Sequence, residues 1–199
     1  MSNKIILTFV GLVLSVATLS AQSAGVWIEA LNNSLGTRYT MGATVRVEGD
    51  ELTGIFMVDG DGYYLTLGTM EVYSDGKLRY EVNNERKEVT IDRVDLTSRD
   101  ILTNPTNAFS FAAEEFYSDI VADKGGEVVI SLVPREDIGI TDIELTLRRD
   151  GHGRVVPVAV RYNYDGDIID VLLALRPADA TLPRWDKAAY RAYDIVSFI

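Results

Sequence analysis

Between residues 70 and 91 the chain reads MEVYSDGKLRYEVNNERKEVTI, and apolar and polar side chains alternate through most of it. After Val72 and a polar turn, Leu78, Tyr80 and Val82 fall on one face and Lys77, Arg79 and Glu81 on the other. A period of two is that of a β-strand with one buried face. Asp75-Gly76 marks a type I′ turn, since both central positions of that turn need φ > 0. The polar run 83–87 reverses the chain again into Val89, Thr90 and Ile91. Three short strands therefore fold back on one another.

The same reading extends along the chain. Residues 43–47 and 53–58 read as strands joined through Gly49-Asp50, and Asp59-Gly60-Asp61-Gly62 turns into a strand at 63–67. Trp27 and Leu31 stand four residues apart within 26–33, which predicts a short amphipathic helix. The alternation fails at 101–116. There Asn104-Pro105 opens a segment carrying Ala108, Phe109, Phe111, Ala112 and Phe116, a spacing better placed on a helix. Strands resume at 127–133, 142–147, 155–164 and 168–175, with hairpin turns at Asp150-Gly151 and Asp165-Gly166. About ten short strands in sequence predict a mainly β fold: one antiparallel, strongly curved sheet or open barrel built as a meander, with a few short helices.

The N-terminus adds a compartment. Lys4 precedes an apolar run from 5 to 19, and small residues follow at Ser20, Ala21, Ser23 and Ala24. This is the pattern of a secretory leader cut after Ala21, leaving a single domain over 22–199. At about 15 residues the run is short of the roughly 20 needed to span a bilayer. The absence of cysteine excludes an acylated leader and any disulfide. The mature protein is expected in the periplasm.

Charge and chemistry narrow the function classes. With 30 acidic and 19 basic residues the formal net charge is −11, which disfavours nucleic acid and, through charge alone, anionic lipid head groups. No Lys/Arg stripe offsets that balance. His152, the only histidine, lies in the Gly-flanked turn 150–153, a poor place for a general base. No nucleophile elbow or phosphate-cradling loop occurs. The Asp59-Asp61 and Asp165-Asp167 pairs lack the further oxygen ligands of a calcium loop and suit hairpin turns. Glu114-Glu115 are adjacent on the expected helix and point apart. No catalytic residue, metal or cofactor is expected.

Taken in order, Ser74-Asp75-Gly76-Lys77, the aromatic Tyr80, Asn83, Glu88-Val89-Thr90-Ile91, Asn104-Pro105 and the closing WDKAAYRAYDIVSFI resemble the LolA-type periplasmic lipoprotein carriers. The likeness runs from about Tyr39 to Ile199. It implies an unclosed barrel whose concave face takes lipoprotein acyl chains beneath lid helices. The inner-membrane release machinery and the outer-membrane acceptor are the partners it implies, and the carrier is expected to be a monomer. Carried over, Tyr80 stands where the family usually has Trp, Val82 where it often has Tyr, and Phe109, Phe111 and Phe116 fall in the lid. The family's Arg-Pro, whose Arg latches the lid, is absent from the matching Val58-Asp59-Gly60.

Alternation makes Phe56, Val58, Tyr64, Leu78, Tyr80 and Val82 the candidates for the concave side. Such residues fill the core of an ordinary β domain; the resemblance assigns them to an acyl cavity. Three function classes follow: a lipid or lipoprotein carrier, a periplasmic sensor or interaction module on the same scaffold, and, distantly, an exported hydrolase.

Overall fold

The computed structural model describes residues 23–107, 109–178 and 180–199, so the expected leader lies outside the described residues. Helix α1 (Ala24–Leu35) leads into six strands: β1 (Arg38–Val47), β2 (Asp50–Asp59), β3 (Gly62–Leu67), β4 (Met70–Ser74), β5 (Leu78–Asn83) and β6 (Glu88–Arg93). A 3₁₀ turn (Pro105–Asn107) and the short α2 (Ala112–Glu115) follow. Then come β7 (Phe116–Lys124), β8 (Glu127–Pro134), β9 (Asp142–Arg149), β10 (Val155–Tyr164), β11 (Asp167–Arg176) and β12 (Asp194–Ser197). All twelve strands form one sheet in the order β12-β6-β5-β4-β3-β2-β1-β11-β10-β9-β8-β7, and its edges, β12 and β7, are not joined. The expected open, curved, mainly β architecture is what the chain adopts.

Turn chemistry accounts for the meander. Glu48-Gly49 (φ 51° and 95°) and Asp165-Gly166 (φ 53° and 104°) form two-residue loops with both residues left-handed, as a type I′ turn requires. The turn after β4 is different. Only Gly76 has positive φ there, and Asp75 Oδ1 instead accepts the N–H groups of Lys77 and Leu78, each at 2.9 Å. The connection is therefore a longer, side-chain-organised turn, not the type I′ turn expected.

One face of the sheet holds the core. Tyr39, Met41, Val45, Phe56, Val58, Tyr63, Leu65, Ile130, Leu145, Val160 and Val171 point inward, and Trp27, Ile28 and Leu31 of α1 pack against them. Apolar burial on this scale, about 1.5–3 kcal/mol for each fully buried large side chain, is what makes a single sheet stable. Arg149 lies 4.7 Å above the Trp27 ring and seals the helix at its edge.

The opposite face is covered over β3–β6 by the chain's own C-terminal segment. After β11 the chain crosses the outer surface and adds β12 to the edge of β6, pairing Asp194–Ser197 with 88–91 in parallel; every other strand pair is antiparallel. Trp185 is stacked between Tyr80 (4.9 Å, 11°) and Tyr190 (4.9 Å, 7°). Beneath them Glu71 accepts from the hydroxyls of Tyr73 (2.7 Å), Tyr64 (3.0 Å) and Tyr190 (3.3 Å), and its other oxygen takes Asn84 Nδ2 (2.8 Å). Burial pushes the Glu71 carboxyl up, but these hydrogen bonds outweigh it and hold the group below its usual value.

Two further expectations change. Among the described residues of 101–116 there is a 3₁₀ turn and a single α-turn, not one helix, and Phe116 opens strand β7, which alternation does not reveal. The reason is a bulge between Ile120 and Ala122 that interrupts the period of two along β7.

The aromatic sandwich predicts the behaviour of the strap. Trp185→Ala removes two stacked contacts, each worth about 0.5–1.5 kcal/mol beyond area burial. Urea unfolding should show a loss of about 1–3 kcal/mol, and amide exchange should accelerate at β12 and β6 while β1 and β11 stay protected.

Candidate functional site: the concave face and its cover

The register decides which sequence-predicted residues meet. Phe56 pairs with Leu65, Leu65 with Val72, Val72 with Glu81, and Glu81 with Thr90. That row is the concave face. Met57, Tyr64, Tyr73, Tyr80 and Ile91 form the neighbouring row, on the convex face. Of the six candidates, Phe56 and Val58 lie on the concave side and are buried in the main core. Tyr64, Leu78, Tyr80 and Val82 lie on the other side; Tyr64, Tyr80 and Val82 pack with Trp185, Tyr190 and Tyr193 of the strap. The grouping of all six on one face is thus corrected. Each of these hairpins pairs an even-numbered with an odd-numbered residue, so the even-numbered Phe56 and Tyr64, one hairpin apart, must face opposite ways.

The concave row also changes character along the sheet. It is apolar through Phe56, Leu65 and Val72, then becomes Ser74 and Arg79, Glu81 and Thr90. Arg79 pairs with Glu81 at 2.6 Å and sits beside the Tyr63 hydroxyl, while its Nε is buried with no hydrogen-bond partner among the described residues. The apolar floor therefore spans β1–β4 and β8–β11 and stops before β5.

Residues 95–115 cover this floor. Ile101, Phe109, Phe111 and Ala112 are buried against it, with Phe116 at the start of β7; Phe111 and Phe116 are 5.4 Å apart ring to ring. The three lid phenylalanines expected from the sequence do come together, two in the cover and one on the sheet. Arg99 ties the two ends of the segment by a bidentate pair to Glu115 (2.5 and 2.6 Å) and lies 5.2 Å over Phe111.

What fastens the cover to the sheet is a set of tyrosines that the sequence motifs do not single out. The Tyr39 hydroxyl donates to the Pro105 carbonyl, and the Tyr63 hydroxyl to that of Thr103 (3.2 Å). Tyr162 accepts the N–H of Ile101 (3.0 Å). Burial holds all three phenols above their ordinary pKa, so each keeps its proton. The signal is present in the chain: tyrosine in phase with the apolar face of three different strands.

Asp100 lies under the same fastening. Burial raises its pKa, opposed by hydrogen bonds from the Leu102 N–H and the Tyr164 hydroxyl. His152, by contrast, sits in an exposed turn organised by Asp150, and among the described residues no group of three or more His, Cys, Asp or Glu could hold a metal.

No family model matches the chain, and no curated protein does. Its fold recurs in solved structures. An uncharacterized conserved protein from Thermus thermophilus superposes with a TM-score of 0.53 at 13% identity, over 87% of this chain and 98% of that one. A LolA superfamily protein from Nitrosomonas europaea gives a TM-score of 0.37 at 8% identity, over 85% of this chain and 98% of that one. The MucA/MucB complex of Pseudomonas aeruginosa gives 0.42 at 19% identity, over 79% of this chain and 58% of that one. These last two likenesses are too slight to carry an argument. The architecture itself, one unclosed curved sheet with helical turns over its concave face, is the one that the resemblance to LolA-like carriers implies.

The raised pKa of Asp100 has a direction that can be measured. In the folded state the group holds its proton above its unfolded value of about 3.9. Its contribution is therefore full below that value and is lost as pH rises through the folded pKa. Asp100→Asn should slow amide exchange in 101–104 at neutral pH and flatten the pH dependence of that exchange. Unchanged exchange in the variant would show that the carboxyl does not act on the cover.

Proposed function

We propose that this protein is a periplasmic carrier that shelters the acyl chains of lipoproteins or lipids on the concave face of its sheet and delivers them toward the outer membrane. One observation supports this reading most: the cover at 95–115 rests on an apolar floor without joining the sheet as a strand, and its backbone is fastened by three tyrosine hydroxyls. Each such bond contributes about 0.5–1.5 kcal/mol net, so the fastening can open at modest cost. An acyl chain replacing Phe109 and Phe111 on Phe56, Val58, Leu65 and Val72 would gain about 0.8 kcal/mol per buried CH₂. Release then needs a competing apolar surface and no covalent step. The inner-membrane release machinery and the outer-membrane acceptor belong to the same reading as partners of a monomer.

A sensor or interaction module is the second reading. It is favoured by the filling of the interior: Phe109, Phe111 and Phe116 are 0–7% exposed, as side chains of a finished core are.

A fluorescent acyl probe separates the two. A carrier binds it with saturation near one or a few sites and changes amide exchange at 95–115. Tyr63→Phe removes the bond to Thr103 and should speed probe association several-fold, in line with about 1 kcal/mol. Folded protein that binds no probe, with 95–115 as protected as β1 throughout, would leave the interaction module.

A further inference from the structure

The sheet splits at one end. β10 and β11 pair only from Ala159–Leu172 to Tyr164–Asp167. Past that point β11 stays on β1 as far as Arg176–Thr40, and β10 stays on β9 as far as Val155–Arg149. A register shift between Pro157 and Ala159, together with the missing N–H of Pro157, marks where the two strands part.

The split holds a half-open cavity of about 530 Å³ beside the C-terminal end of α1. Its floor is apolar, with Leu35, Val156, Pro157, Leu173 and Leu175. Its rim carries Arg38, Arg148, Arg154 and Arg176, against one described carboxylate, Asp150. Asp150 is already taken: it pairs with Arg154 at 2.8 Å and accepts the N–H groups of His152 and Arg154. Arg38 shares a weak 3.8 Å pair with Asp59. Neither Arg148 nor Arg176 has an ion-pair partner among the described residues. The Arg176 guanidinium lies over Gly42, where a Cβ would stand only 2.7 Å from its Nε, so that backbone position leaves the arginine its place.

Four arginines around an apolar floor, on a chain of net charge −11, form a local exception to the overall field. The balance read from composition holds for the molecule as a whole but not for this cleft. The residues come from positions 38, 148, 154 and 176, and only the fold brings them together.

We propose that this cleft is a binding site for an amphiphile with an anionic, phosphate-bearing head. The guanidinium forks of Arg148 and Arg176 engage the phosphate oxygens, which they fit bidentately. The apolar floor takes the first methylene groups behind the head. The site lies between β10 and β11 and does not depend on whether the concave face admits acyl chains.

The test titrates full-length mature protein with dihexanoyl phosphatidylglycerol below its micelle concentration, with dihexanoyl phosphatidylcholine, and with inorganic phosphate, followed by calorimetry. Phosphatidylglycerol should bind at one site and weaken with salt, phosphatidylcholine at least ten-fold more weakly. R148Q/R176Q should lower phosphatidylglycerol affinity at least ten-fold, whereas R86Q/R93Q, with the same charge change on β6 and its turn, should not. Equal binding of the two lipids, or equal losses in the two double variants, would overturn the site. Inorganic phosphate binding as tightly as the lipid would overturn the amphiphile and leave a free-anion site. Binding of the fluorescent acyl probe in R148Q/R176Q reads the concave face separately, so failure of one site is distinguishable from failure of the other.

Discussion

A single twisted sheet that does not close has two faces and no second sheet to hide either of them. That constraint governs the rest of the molecule. The concave face is the more apolar, and its side chains need a cover of about their own area to leave water. Helix α1 supplies part of it and the segment 95–115 the remainder. On the convex side the C-terminal strap performs the same service over β3–β6, with tryptophan and tyrosine where the inner cover uses phenylalanine. Each cover is held by polar groups placed among apolar ones: tyrosine hydroxyls inside, the Glu71 carboxylate outside.

The two fastenings respond to acidity in opposite senses. Glu71 is held below its usual pKa by four donors, so its contribution is present above the unfolded value and fades as pH falls through the folded one. Asp100 is pushed the other way by burial, and its contribution grows as pH falls. Inner cover and outer strap thus favour opposite charge states of a carboxyl, although both are made from the same few residue types.

Most strands are legible in the sequence because a half-buried strand writes its own period of two. Their relative phase is not. Tyr80 and Phe56 each sit on an apolar row, but the loops between them put those rows on opposite faces, and nothing local to either strand records that. The cover misleads for a different reason. Phe109, Ala112 and Phe116 have helical spacing, yet Phe116 is buried as the first residue of β7, whose own alternation is broken by its bulge. The tyrosine fastening is visible only as three residues in phase with the core. The arginine cleft is invisible, since its members lie up to 138 positions apart in sequence, from 38 to 176.

The strap has a bearing on how the molecule is assembled. β12 docks on β6, about a hundred residues earlier in the chain. Until it arrives, β6 is a bare strand edge and Tyr64, Tyr73 and Tyr80 form an uncovered aromatic surface. Both are templates for pairing with another chain. Closing that edge from within the same molecule, in parallel, makes residues 194–197 a guard against edge-to-edge pairing for the meander that precedes them.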